Sequence, residues 1–66
     1  MTPKQARLME GLKQEDMARL LGMHRTTYAA LEKDPGRFTV DQAHRFCRIT
    51  ERGFEEVFGP DKRRRQ

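Results

Sequence analysis

Apolar residues recur at helical spacing along the chain, and glycine, proline and capping residues punctuate the runs. In the stretch from Gln14 to Lys33, QEDMARLLGMHRTTYAALEK, the residues Met17, Ala18, Leu21, Met23, Tyr28 and Leu31 fall where two short crossed helices face a common core. Ala18 puts a small side chain on the inward face of the first of them. Gly22 can take φ > 0 and redirect the chain, so the spacing predicts one helix over Gln14–Leu21 and another from about Arg25 to Lys33.

The flanking segments carry start and stop signals of their own. Thr2-Pro3-Lys4-Gln5 offers an N-cap, a proline at the first helical position and a capping-box partner, predicting a first helix from Pro3 to about Glu10. Gly11 supplies a left-handed exit, with Leu12 expected to fold back onto Leu8. Asp34-Pro35-Gly36 combines a turn-former, a residue without an amide donor and a residue free in φ, and no helical turn is expected to survive there. Thr39-x-x-Gln42 is a second capping box, opening a helix from Val40 to about Thr50 with Val40, Ala43, Phe46, Cys47 and Thr50 inward. Phe54–Phe58 makes a short fifth helix before Gly59-Pro60. No strand-like alternation or internal repeat interrupts this reading. The expectation is an all-α fold of five short helices over residues 1–58, followed by a basic tail, 59–66, whose Asp61–Gln66 segment has no apolar residue with which to pack and is expected to be disordered.

Composition limits what such a chain can do. Sixty-six residues with 35% apolar and 36% charged side chains support one modest core, to which dimerisation would add, and leave no room for a second catalytic or sensing domain. The net charge of +4 hints at nucleic acid, but residues 1–58 hold ten Lys and Arg against nine Asp and Glu, so most of the excess lies in the tail. Any case for DNA therefore rests on where the cations sit. The single cysteine, Cys47, lies in an apolar helical pattern and reads as core. No apolar run approaches the ~20 residues needed to span a bilayer, and Met1-Thr2-Pro3-Lys4 does not open a signal peptide, so no membrane partner and a cytoplasmic location are expected. His24 and His44 are far apart and poorly supported by thiols or carboxylates, so no metal, cofactor or small-molecule ligand is expected. No nucleophile with a base and no phosphate-cradling glycine loop can be assembled, which argues against an enzyme.

Two helices hinged at Gly22 form a helix-turn-helix, and the outward face of the second, with Arg25, Thr26, Ala29, Ala30 and Lys33, is free to enter a DNA major groove. Arg25 carries the fork that matches guanine O6 and N7; the alternative is a phosphate contact. Thr26 could donate to a base edge or touch a thymine methyl, and Ala29 and Ala30 could make only apolar contacts. Lys13 stands at the N-terminus of its helix, where a cation is unfavourable unless something negative shares the site. Lys13 and Gln14 could hold a DNA phosphate there, or Lys13 could be a solvated loop residue. His24 and Thr27 flank the reading face, and Lys33 and Arg37 bracket the Asp34-Pro35-Gly36 turn; all four are candidates for the DNA backbone.

With these residues placed, residues 7 to 58 resemble the phage repressor and Cro-like helix-turn-helix family. The pattern stands here as Gly11-Leu12-x-Gln14-Glu15-x-x-Ala18-x-x-Leu21-Gly22-x-x-Arg25-x-Thr27-x-x-x-x-Glu32, then Phe54-Glu55-Glu56-Val57-Phe58. The resemblance implies a five-helix domain like that of lambda repressor, binding double-stranded DNA as a homodimer on an inverted-repeat operator. It implies a partly buried ion pair between Arg7 and Glu32, the alternative being two solvated surface charges. It also implies a two-fold contact through Phe54, Val57 and Phe58, the alternative being that all three close a small core. The function implied is a sequence-specific transcriptional regulator, a small phage or prophage-type repressor of its own operon, of the kind that also accompanies anti-CRISPR genes. An antitoxin-like protein-interaction module is the alternative. Lys13 and His24 replace the usual caps of the second and third helices and are expected to weaken them. Thr50 stands at a usual leucine, and Glu51 and Gly53 stand at a usual glycine and serine.

Overall fold

The computed structural model describes residues 1–59 and is all-helical over them. Helix α1 spans Pro3–Met9, α2 Gln14–Leu21, α3 Arg25–Lys33, α4 Val40–Thr50 and α5 Phe54–Phe58. Apart from Gly59, the basic tail lies outside the described residues.

Each boundary has a local cause. The hydroxyl of Thr2 accepts from the Gln5 amide at 3.1 Å while the Gln5 side chain accepts from the Thr2 amide at 2.9 Å, closing the first capping box. Thr39 and Gln42 repeat the arrangement at 3.0 and 2.9 Å for α4. At the end of α1, Gly11 sits at φ 73°, the Leu12 amide donates to the Arg7 carbonyl at 3.3 Å and the Gly11 amide to that of Leu8 at 2.9 Å. This is a Schellman closure, and Gly22 at φ 75° makes another after α2. Leu12 packs against the core, whereas Leu8 stays 54% exposed.

Ala6, Met17, Ala18, Leu21, Tyr28, Phe46, Cys47 and Val57 form the buried cluster, with α2 packed on both α3 and α4, and α5 on α4 and α1. Burial pushes the Cys47 thiol pKa up, and Glu56 adds to the effect, which suits a structural and unreactive cysteine. Two expectations fail. Asp34-Pro35-Gly36 does not exclude helical geometry: Pro35–Arg37 make one 3-10 turn, closed by the Phe38 amide on the Pro35 carbonyl at 3.1 Å. That turn aims Phe38 inward, where its ring meets Tyr28, Phe46 and Phe58 edge-on at centroid distances of 6.4, 5.7 and 4.8 Å. Val40 is not inward but 71% exposed, because the Thr39 cap fixes the start of α4 and the first position projects before the helix reaches the core.

Thr50 is fully buried in place of an aliphatic residue, and its hydroxyl donates to the Phe46 carbonyl at 3.0 Å, so no polar atom is stranded. The next residue, Glu51, is the only non-glycine at positive φ among the described residues, at 55°, as the left-handed exit of α4. A side chain there costs about 1–2 kcal/mol relative to glycine, more than the extra chain entropy glycine brings to the unfolded state. Glu51→Gly is therefore expected to stabilise the domain by about 1 kcal/mol, raising the midpoint of thermal unfolding by about 4–8 °C. A lowered midpoint would show that the Glu51 side chain contributes more than its backbone costs.

Candidate nucleic-acid interface

Helix α3 divides cleanly into two faces. Tyr28 and Leu31 are 0% and 8% exposed and pack inward, while Arg25, Thr26, Thr27, Ala30 and Lys33 are exposed and Ala29 is half-buried. Lys33 and Arg37 remain exposed on either side of the 3-10 turn. Arg25 opens the helix, and no acidic residue lies in its first turn. The positive end of the α3 dipole thus stands beside a cation with no carboxylate of that turn to offset it, a local field suited to an anionic partner.

His24 departs from the usual cap chemistry and caps nonetheless. Its Nδ1 accepts from the Thr26 amide at 3.2 Å and lies 2.8 Å from the Thr26 hydroxyl. The cap of α3 is therefore not missing: an imidazole nitrogen stands where Ser or Asn would offer an oxygen.

Lys13 makes no side-chain cap, but the Asp16 carboxylate accepts from the Lys13 amide at 2.9 Å. Asp16 also lies 3.7 Å from Arg19. The negative charge that shares the α2 N-terminus with Lys13 is thus internal, from Asp16 and Glu15, and the exposed Lys13 ammonium is left to solvent or to a partner. Lys13-x-x-Asp16 carries the second half of a capping box, the one signal in the sequence that could have pointed to this.

Behind the exposed face of α3 lies a polar hub. Arg7 Nε donates to Glu32 Oε2, and Arg7 Nη2 to Oε1 at 3.3 Å; the two side chains are 6% and 4% exposed. Glu32 also accepts from Gln14 Nε2 at 2.9 Å and from the Tyr28 hydroxyl at 2.7 Å, while Arg7 Nη1 donates to the Leu12 carbonyl at 2.6 Å. One carboxylate thereby ties α1, α2 and α3 together. Burial opposes ionisation of Glu32, but hydrogen bonds from Arg7, Gln14 and Tyr28, with the charge of Arg7, hold its pKa below the ordinary carboxylate value. The bond to Glu32 outweighs burial and raises the pKa of Arg7; burial, reinforced by Glu32, raises that of the Tyr28 phenol. Gln14 consequently spends one amide N–H inside the protein, and its second N–H and its oxygen remain for an outside partner.

An open groove brings Lys13, Gln14, Glu15 and Arg25 together with Arg7, Leu8 and Leu12, so the cations at the starts of α2 and α3 share one surface. The pattern of a family described as helix-turn-helix matches residues 4–57, nearly all of the described chain. The chain belongs to the Cro-like helix-turn-helix family. No curated protein and no solved structure matches it. This family binds double-stranded DNA and regulates transcription, and the helix-turn-helix here presents α3 outward with α2 packed behind it.

Around this helix-turn-helix, the residues expected at a two-fold contact separate by burial. Phe54 is 42% exposed, Phe58 is half-buried in the aromatic cluster, and Val57 is 5% exposed within the core, where its side chain is used inside the protomer. Sequence reasoning missed Phe38, Asp16 and the Tyr28 hydroxyl as members of the framework. It also missed Arg52, which pairs with Glu56 at 3.2 Å and lies 3.7 Å from the Met9 sulfur, linking the start of α5 to α1. Among the described residues, no helix is long and apolar enough to cross a membrane.

Proposed function

We propose that the protein is a sequence-specific transcriptional repressor that binds an inverted-repeat operator as a homodimer and controls its own operon. The observation that carries this reading is the exposed face of α3, where Arg25, Thr26, Ala30 and Lys33 stand free while Tyr28 and Leu31 anchor the opposite face. Arg25 reads guanine through its bidentate fork, Thr26 and the two alanines meet neighbouring base edges, and Lys13, Gln14, His24, Thr27, Lys33 and Arg37 position the backbone. Such a repressor acts by occupying the promoter, its control coming from concentration and affinity. Small autoregulators of phage and prophage operons, including those beside anti-CRISPR genes, fit this economy.

Phe54 supports the dimer, since a large ring 42% exposed at the start of α5 is available to a second copy. Footprinting on the DNA upstream of the coding sequence tests the whole reading. The expected result is protection of an inverted repeat whose half-sites are about one helical turn, roughly 34 Å, apart. Phe54→Ala should raise the dimer dissociation constant about tenfold or more by sedimentation equilibrium. A wild-type monomer at every concentration that protects DNA would remove the dimer from the proposal.

A further inference from the structure

We propose that His24 sets the hydrogen-bond polarity of Thr26, making its hydroxyl an acceptor toward DNA and thereby selecting a base that carries an amino group. The inference rests on the reading of α3 as the DNA-reading helix. The Thr26 amide, a fixed donor, points at His24 Nδ1 at 3.2 Å. A nitrogen that accepts from an amide carries a lone pair, so the ring proton resides on Nε2. The Thr26 hydroxyl lies 2.8 Å from the same Nδ1. With no proton on Nδ1, only the hydroxyl can donate in that contact. The hydroxyl proton then shares the one in-plane lone pair of Nδ1 with the amide, as the closer of the two donors.

What Thr26 turns toward solvent is then two oxygen lone pairs and a methyl group. In the major groove those lone pairs are matched by the amino groups of adenine N6 and cytosine N4, and opposed by guanine O6 and N7 and thymine O4. Arg25 beside it, with donors only, has the reverse preference. Adjacent residues of one helix would thus read opposite polarities, guanine by Arg25 and an amino-bearing base by Thr26. His24 is a positioning residue in this scheme: it acts on the base through Thr26, and its Nε2–H remains as a donor directed away from the cap.

Two measurements test the relay. In the free protein above neutral pH, long-range nitrogen–proton NMR spectra should show His24 with the proton on Nε2; a proton on Nδ1 would overturn the proposal. Selection from a random duplex library should give the wild type a guanine position and, next to it, a position favouring adenine or cytosine about three- to tenfold, the worth of one neutral hydrogen bond. His24→Ala frees the hydroxyl proton and should level that preference while the guanine position persists. His24→Asn, which restores an acceptor at the cap, should retain it, and so guards against a His24→Ala variant that folds poorly. Thr26→Val should level the preference in either background. Enriched sequences whose second position is unchanged by His24→Ala would overturn the relay and leave DNA reading intact. A library that yields no enriched sequence would overturn both.

Discussion

Glu32→Ala is expected to cost the domain about 3–5 kcal/mol, the range for breaking a buried pair by removing one partner. At roughly 0.05–0.15 kcal/mol per residue a chain of this size has about 3–10 kcal/mol in total, so the variant should be largely unfolded or close to it at ambient temperature. The cause is what remains behind. Arg7, 5% exposed, keeps its charge with only the Leu12 carbonyl to receive it, and Gln14 and Tyr28 lose their acceptor together. Glu32→Gln should be nearly as damaging, since it keeps the shape and removes the charge. The double change Arg7→Met with Glu32→Leu should be milder than Glu32→Ala alone, because an apolar pair strands no ion. Urea unfolding of the four proteins decides the matter, and an unchanged midpoint for Glu32→Ala would remove the hub from the account of stability.

The same carboxylate gives the wild type an acid limb. The pKa of Glu32 is lowered in the folded state, so its contribution is fully present above the unfolded carboxyl value of about 4.3 and is lost as pH falls through the folded one. Between neutrality and pH 5 this group adds no slope. Below about pH 4 the wild type should lose stability more steeply than the Arg7→Met, Glu32→Leu protein, in which the group is absent.

Helix boundaries were legible in this chain because they are set by short-range chemistry. Gly11 and Gly22 provide the left-handed exits that α1 and α2 need, and the boxes at Thr2-Gln5 and Thr39-Gln42 close as their spacing implies. Less legible were features whose cause lies far away in sequence or outside the usual side-chain rankings. Phe38 follows a proline and a glycine and carries every local sign of a loop residue, yet three aromatic rings from distant segments converge on it. His24 ranks as a poor cap, but that ranking does not consider an imidazole lone pair turned toward the amide two residues on. Val40 satisfied the helical period and still faces water, since period fixes relative directions while the core reaches only part of a helix. At the site itself, the face of α3 could be deduced from Tyr28 and Leu31. That Gln14 is bound to Glu32, and that Asp16 stands beside Lys13, required the fold.

Arg25→Ala should lose about 1–3 kcal/mol on the cognate operator and little on random DNA, whereas Lys13→Ala should weaken both to similar extents. The two residues carry the same charge and lie on the same groove, so charge alone predicts no difference between them. Position predicts one. Arg25 is the first residue of α3, exposed, with a planar fork able to match two acceptors on one base edge. Lys13 sits at the start of α2, which packs behind α3, and its ammonium is a point charge suited to a phosphate. Lys13→Ala should accordingly flatten the dependence of affinity on salt by about 0.9 in the log–log slope, the contribution of one phosphate contact. Neither variant should change the fold, because both side chains are exposed and lie outside the Glu32 hub. Competition binding at fixed salt, with the footprinted operator against random duplex, separates the roles. Equal losses for Arg25→Ala on both duplexes would assign that arginine to the backbone, and base recognition would then pass to Thr26 and its alanine neighbours, where the polarity set by His24 becomes the main determinant of sequence.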